Sequence, residues 1–144
     1  FLRLFRKGAS CGVDKALSIL KREGLDDAKP NDIRVVAHIR LGDAVLNDNF
    51  LYKRIPNHFY TMMFRAIRTI CPNCRFYAFT SVQHQKQHRY IGPIIKSLRE
   101  LNVTLYVDYE HSEHATDEAL NSIAHFATAD VFIAARSEFS VVSA

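Results

Sequence analysis

The chain has 144 residues, 48% of them hydrophobic and 24% charged, the balance of one globular domain with a packed core rather than of a disordered tail. Nineteen Lys and Arg against 15 Asp and Glu give a formal charge of +4, which suits an anionic ligand but is modest for a nucleic-acid binder. Neither nucleic acid nor membrane contact is expected of this segment, because no apolar run approaches the ~20 residues of a spanning helix and the N-terminus lacks a long apolar core.

Phe1 to about Leu20 sets Leu2, Phe5, Val13, Leu17 and Leu20 loosely at helical spacing around Gly8 and Gly12, which predicts one or two amphipathic helices. Gly24 to Asp32 gathers Gly, Pro, Asn and Asp, the chemistry of a turn, and closes an N-terminal helical segment and linker over residues 1–32. The remaining residues, 33–144, read as one domain. Ile33 to Ile39 is a buried strand of β-branched residues ending at a polar loop. His58 to Ile70 carries Phe59, Met62, Met63, Ala66, Ile67 and Ile70 at intervals of three and four, the stripe of a helix packed on a sheet.

A turn at Cys71 to Cys74 ends that helix. Phe76 to Phe79 is a second short buried strand, followed by Thr80 and Ser81 and a polar segment that runs to a helix over Ile91 to Leu101. Val103 to Val107 is a third strand, and Asp108 to Thr116 an acidic loop bearing histidines. Thr116 with Asp117 and Glu118 starts a helix through Ala127. Asp130 to Ala134 is a fourth strand, and Ala135 to Glu138 leads to a last helix. Strands alternating with helices imply right-handed crossovers, hence an α/β fold: a Rossmann-like parallel sheet with helices on both faces. The sequence opens on Phe1 without an initiator Met and stops at Ala144 inside an element, so it is expected to be a piece of a longer protein, truncated at its C-terminus.

Three cysteines cannot all pair with one another, and Cys71-Pro72-Asn73-Cys74 has no second pair to complete a four-ligand zinc site. The functional readings are a zinc half-site, a redox pair or a small disulfide, but the first reading is a helix-to-strand turn that happens to carry two thiols. A disulfide across the turn comes next, and would fit a secretory compartment. His84 and His88 stand four apart without the glutamate of a zincin motif, and His111-Ser112-Glu113-His114 is an equally weak signal, so no metal is expected.

In open parallel sheets, ligands bind beyond the carboxyl ends of the strands. The loops there carry His38, Arg40, Gly42 and Asp43; Thr80 and Ser81; Asp108 and His111 to His114; and Arg136, Ser137, Phe139 and Ser140. Arg40 offers a planar fork of donors that matches phosphate oxygens and keeps its charge at any working pH. Gly42 permits a tight turn or close backbone approach beside it. Asp43 orients Arg40, pairs with it structurally or caps the next segment. His38, at the end of a buried strand, reads first as a hydrogen-bonded structural residue. Ser137, Phe139 and Ser140 stand where a helix N-terminus receives a phosphate, although Ser-x-x-Ser is equally an ordinary N-cap.

Val36-Ala37-His38-Ile39-Arg40-Leu41-Gly42-Asp43 resembles the H-x-R-x-G/T-D signature of the α1,2-, α1,6- and protein O-fucosyltransferase superfamily, whose fold is called GT-B. Ala129 to Ser140 looks like that superfamily's A-D-x-x-I-x-x-x-S-S-F-S segment, and Phe76 to Ser81 is similar to its strand ending in a Thr/Ser-Asp pair. Together the blocks, from Ile33 to Ala144, resemble the carboxyl-terminal, nucleotide-binding half of such enzymes.

The resemblance implies a glycosyltransferase that moves fucose, or a related sugar, from a GDP-sugar donor to a glycan or protein hydroxyl with inversion. It uses no metal or other cofactor, and a lobe outside this segment supplies part of the acceptor site. Arg40 is the implied catalytic residue, contacting the donor diphosphate as GDP leaves. The implied donor site comprises His38, Gly42, Asp43, Thr80, Ser81, Asp117, Ser137, Phe139 and Ser140. Location follows the source: the Golgi or endoplasmic reticulum lumen in a eukaryote, the cytoplasm in a bacterium. Leu41 stands where α1,2- and α1,6-enzymes carry a second arginine, Val82 follows Ser81 in place of an acid, and Glu138 replaces a usual Ser. Those differences are the basis of the alternative, a non-catalytic, degenerate nucleotide- or phosphate-binding module.

Overall fold

A computed structural model describes residues 2–4, 32–41, 55–82, 88–109 and 115–136, by their backbone alone at 2–4, 82, 88–90, 108–109 and 115–118. The described strands are β1 (Leu2–Leu4), β2 (Arg34–His38), β3 (Arg75–Val82), β4 (Thr104–Tyr109) and β5 (Val131–Ile133), and the helices α1 (Asn57–Ile70), α2 (His88–Glu100) and α3 (Ala115–Ala127). They form one sheet in the order β1-β5-β2-β3-β4, with β2, β3, β4 and β5 parallel and β1 antiparallel to β5.

Successive side chains along a strand point to opposite faces, and the two faces bury different helices. Val35, Ala37, Phe76, Ala78 and Ile133 pack with Tyr60, Phe64 and Ile67 of α1 and with Ile91, Ile94 and Leu98 of α2. Val36, Tyr77, Phe79 and Phe132 pack on the other side with Phe126 of α3. The chain is therefore the expected α/β, Rossmann-like sheet covered on both faces. Its central strand β2 is buried at every position, as a parallel strand between two helical layers must be. Arg34 is tolerated there because its guanidinium donates to Thr128 Oγ1 at 3.2 Å, while its backbone N–H donates to the Asp130 carboxylate at 2.8 Å.

The course of the strands sets the site. From β2 the chain steps outward through α1 to β3 and through α2 to β4; it then returns through α3 to lie on the opposite side of β2 as β5. The direction of winding thus reverses between β2 and β5, the topological switch point of a doubly wound sheet.

Several expectations are corrected. Leu2–Leu4 is not helical; it adds an antiparallel strand with Leu2 opposite Ile133 and Leu4 opposite Val131. Three alternating residues fit a period of two as well as 3.6, and the outer edge of β5 offers backbone groups that need partners. The rest of the predicted N-terminal helical segment lies outside the described residues. In α1 the buried face is Tyr60, Phe64 and Ile67, whereas Met62 (60% exposed), Ala66 and Ile70 (83%) lie outward. Phe59, Met63 and Ile67 of the predicted stripe do pack on the core, but the apolar residues of this helix spread round more than one face, so spacing alone also took in outward residues.

Thr80, Ser81 and Asp108 belong to strands rather than loops, because β3 and β4 keep pairing through Thr80 opposite Val107, Ser81 opposite Asp108 and Val82 opposite Tyr109. Helix α2 starts at His88, three residues before the predicted Ile91, with Pro93 in its second turn. It closes in a Schellman motif: Val103 N–H donates to Leu98 O at 3.0 Å and Asn102 N–H to Arg99 O at 2.9 Å, with Asn102 at φ 52. Cys71 and Cys74 are joined as a disulfide, the reading placed second from the sequence, and not left as two thiols. The turn that closes α1 brings their Cα atoms to 5.5 Å, a separation a disulfide spans.

Candidate functional site

The switch point lies beyond His38 of β2 and Ile133 of β5. The backbone leaving β2 stays extended: Ile39 N–H donates to Phe79 O at 2.8 Å, continuing the ladder to β3. Alternation continues with it. Ile39 and Leu41 are buried in the core beneath α1 and α2, and His38 and Arg40 fall on the α3 side. Leu41 is 1% exposed, so the position that departs from the two-arginine pattern is a core position and presents nothing to a ligand.

Arg40 is fixed from below. Its backbone N–H is directed to the hydroxyl of Tyr60, a fully buried residue of α1 whose ionisation is pushed up first by burial, against a smaller opposing effect of that hydrogen bond. With Ile39 and Leu41 anchored on either side and Tyr60 beneath, the main chain at Arg40 has little freedom. The partly exposed side chain is therefore presented from a prepared backbone, which lowers the ordering cost of binding.

His38 is 9% exposed, with its ring 5.5 Å from that of Phe126 on α3. Burial, and then the positive charge of Arg40, push its pKa down to about 4. The imidazole is therefore neutral at physiological pH. It packs as a buried wall against Phe126, not as a second cation or an exposed base.

Of the other residues read from the sequence, Ser81 shares the face of His38 and Arg40 and is half-buried, opposite Asp108. Thr80 does not join them: strand alternation puts it with Phe76 and Ala78 on the α1 and α2 side, where it is 2% exposed and Oγ1 has no hydrogen-bond partner. Asp117 lies in the first turn of α3, which begins just after the carboxyl end of β4 and so at the same edge of the sheet. Gly42, Asp43, Ser137, Phe139 and Ser140 lie outside the described residues, as do His84, His111 and His114.

His125, one of the seven histidines, is a core residue, with its ring centre 4.8 Å from Phe79, 5.3 Å from Tyr106 and 5.4 Å from Tyr77. Among the described residues no group of three His, Cys, Asp or Glu side chains could hold a metal ion, and no helix is long and apolar enough to cross a membrane. Asp130 of the A-D segment has a structural task, since its carboxylate and its N–H both bond the backbone of Arg34.

Sequence reasoning passed over one residue. Tyr60 gives no motif signal; only packing reveals that its hydroxyl meets Arg40. Arg136, named from the sequence with the loop after the fourth strand, is exposed three residues beyond the end of β5.

A cavity of about 420 Å³ opens at the opposite edge, where Asp32, Arg68, Asn73, Arg75, Asn102 and Thr104 contribute to its lining. Its cations already serve the fold. Arg68 donates to Leu101 O at 2.7 Å and lies 4.3 Å from the Phe76 ring centre, and Arg75 pairs with Asp32 at 3.0 Å. The carboxyl edge, with Arg40 on an anchored backbone at the switch point, is the better ligand site on physical grounds.

Fold and edge thus define a Rossmann-like α/β domain with a cationic switch point. Comparison with protein-family models, curated proteins and solved structures found no match.

Proposed function

We propose that this chain is the nucleotide-sugar-binding half of a GT-B glycosyltransferase of the fucosyltransferase type, using a GDP-sugar donor and a glycan or protein hydroxyl as acceptor. The observation that carries the reading is Arg40: a guanidinium held on a Tyr60-anchored backbone at the β2–β5 switch point, backed by a neutral His38. A fixed positive charge is what a departing diphosphate requires.

In the proposed reaction an acceptor hydroxyl oxygen attacks the anomeric carbon from the face opposite the diphosphate. The carbon–oxygen bond to the diphosphate breaks with its electron pair leaving on GDP, and the sugar inverts. Arg40 stabilises the charge developing on the diphosphate, the role of preorganised electrostatics. The hydroxyl proton passes to a base on the acceptor side, which belongs to the lobe outside this segment. His38 is buried against Phe126, so in this reading it shapes the site instead of serving as that base.

The second reading, a non-catalytic nucleotide- or phosphate-binding module, is favoured by the burial of Leu41, which leaves the H-x-R segment with one cation. Calorimetric titration of the folded domain with GDP, GDP-fucose, GMP, UDP and ADP tests the proposal. Preferential binding of GDP and GDP-fucose is expected, weakened about 10- to 100-fold in Arg40→Ala, the effect of losing a charge-assisted hydrogen bond. A folded domain that binds none of the five nucleotides would remove the donor-site reading.

A further inference from the structure

We infer that the Cys71–Cys74 disulfide is a redox-sensitive clasp: a dithiol reductant opens it in the folded protein, which loosens the turn between α1 and β3 and leaves the sheet and its carboxyl edge as they are. The cavity at the amino edge is the part of the molecule that the clasp controls.

The turn is built without the bond. Pro72 has no N–H and disfavours helical geometry at Cys71, so α1 stops there, with Cys71 N–H donating to Ile67 O at 2.8 Å. Cys74 N–H then donates to Cys71 O at 3.2 Å, and Arg75 N–H to Ile33 O at 2.8 Å as β3 begins beside β2. Those backbone bonds keep the two Cα atoms near their 5.5 Å separation, so the thiols of a reduced chain stay within reach of one another. The clasp can therefore open and close on the same fold.

Cys71 and Cys74 are three apart in sequence. A cross-link this short constrains the unfolded chain less than a long-range bridge does, because that stabilisation grows with the loop closed. Its hold is local. A Cys-x-x-Cys pair becomes a strong nucleophile where a helix N-terminus stabilises its thiolate, but this pair sits at the C-terminal end of α1, where the dipole disfavours negative charge. It is a clasp and not the centre of an oxidoreductase.

Exchange begins at Cys71, which is half-buried where Cys74 is 6% exposed. A thiolate of the reductant bonds to Cys71 Sγ as the bond between the two Sγ atoms breaks, and the electron pair goes to Cys74 Sγ, which takes a proton. The reductant's second thiolate closes on its own sulfur, Cys71 leaves and takes a proton, and the reductant ends as a disulfide. Pro72, Asn73 and Cys74 line the amino-edge cavity, so opening the clasp frees that wall. The last turn of α1 loosens with it, including Arg68, whose guanidinium donates to Leu101 O.

The test compares the folded protein before and after dithiothreitol with a Cys71→Ser/Cys74→Ser double variant that cannot close the clasp. Alkylation without denaturant, read by mass, should find two more thiols after reduction, at Cys71 and Cys74. Backbone order parameters at Asn73 and Cys74 are expected to fall from about 0.85 to below about 0.6, while those from Val35 to Ala37 stay near 0.85. The double variant should show the low values with or without dithiothreitol. Thiols that appear only in denaturant would make the bond a sealed structural bridge and overturn the clasp. A reduced turn as rigid as the oxidised one overturns it too, as does a reduced protein or double variant that loses the sheet.

Discussion

Replacing Phe126 with alanine is expected to lower the unfolding free energy by about 3–5 kcal/mol, a large part of the ~5–15 kcal/mol that holds a typical domain together. Phe126 is the buried ring that α3 sends into the second core. It lies 4.9 Å from Phe132, meets Phe79 edge-on at 5.4 Å and backs His38 at 5.5 Å. Its removal leaves a void between three strands and a helix, which the rigid sheet cannot close. Urea unfolding measures the loss as a lower midpoint at unchanged slope. Met62→Ala, on the exposed side of α1, is the control and should change stability by no more than about 0.5 kcal/mol. A Phe126→Ala loss under about 1 kcal/mol, or a Met62 loss as large as that of Phe126, would contradict the two-layer core.

Acid is expected to destabilise the domain through His38. Its pKa is pushed down to about 4 in the folded protein from an ordinary 6.5. Between those values the unfolded chain binds a proton that the folded chain refuses, so stability rises with pH across the window. The contribution is fully present above about pH 6.5 and is lost as pH falls toward 4, by about 3 kcal/mol at ~1.4 kcal/mol per unit. Unfolding curves from pH 7 to pH 4 should show this loss in the wild type and lack it in His38→Gln. Because burial is the larger cause and Arg40 the smaller, Arg40→Ala should shrink the difference without abolishing it. Parallel pH profiles for wild type and His38→Gln would mean that the imidazole titrates normally and is not the buried wall described.

The elements that sequence placed well are those whose burial is two-sided or strongly periodic. Val35, Val36 and Ala37 announce a central strand because every position must be apolar, and the fourth strand around Phe132 and Ile133 does the same. Ends were less legible, since they depend on pairing across the sheet. Thr80 and Ser81 are as polar as loop residues, yet β4 supplies partners that keep them in strand. Leu2–Leu4 becomes a strand only because the β5 edge is available to it. The stripe chosen on α1 included Met62 and Ile70 and omitted Tyr60 and Phe64, because apolarity alone does not say which face a helix turns inward.

The site was legible to the extent that strand ends could be located. Arg40 and His38 follow from where β2 stops, and strand parity then assigns them a common face. Parity also separates Thr80 from them, a distinction that needs the register of three strands and not a motif. Tyr60 needed more, the packing of α1 under the β2 extension.

The central claim is that an anionic ligand is held at the β2–β5 switch point, and backbone amide chemical shifts of the folded domain titrated with GDP test it most directly. The account predicts saturable shifts at Ile39, Arg40 and Leu41 and from Ala134 to Arg136, with Asn73, Asn102 and Thr104 at the opposite edge unmoved. Shifts confined to the cavity around Arg68, Asn73 and Asn102, or no saturable shift at either edge, would contradict it.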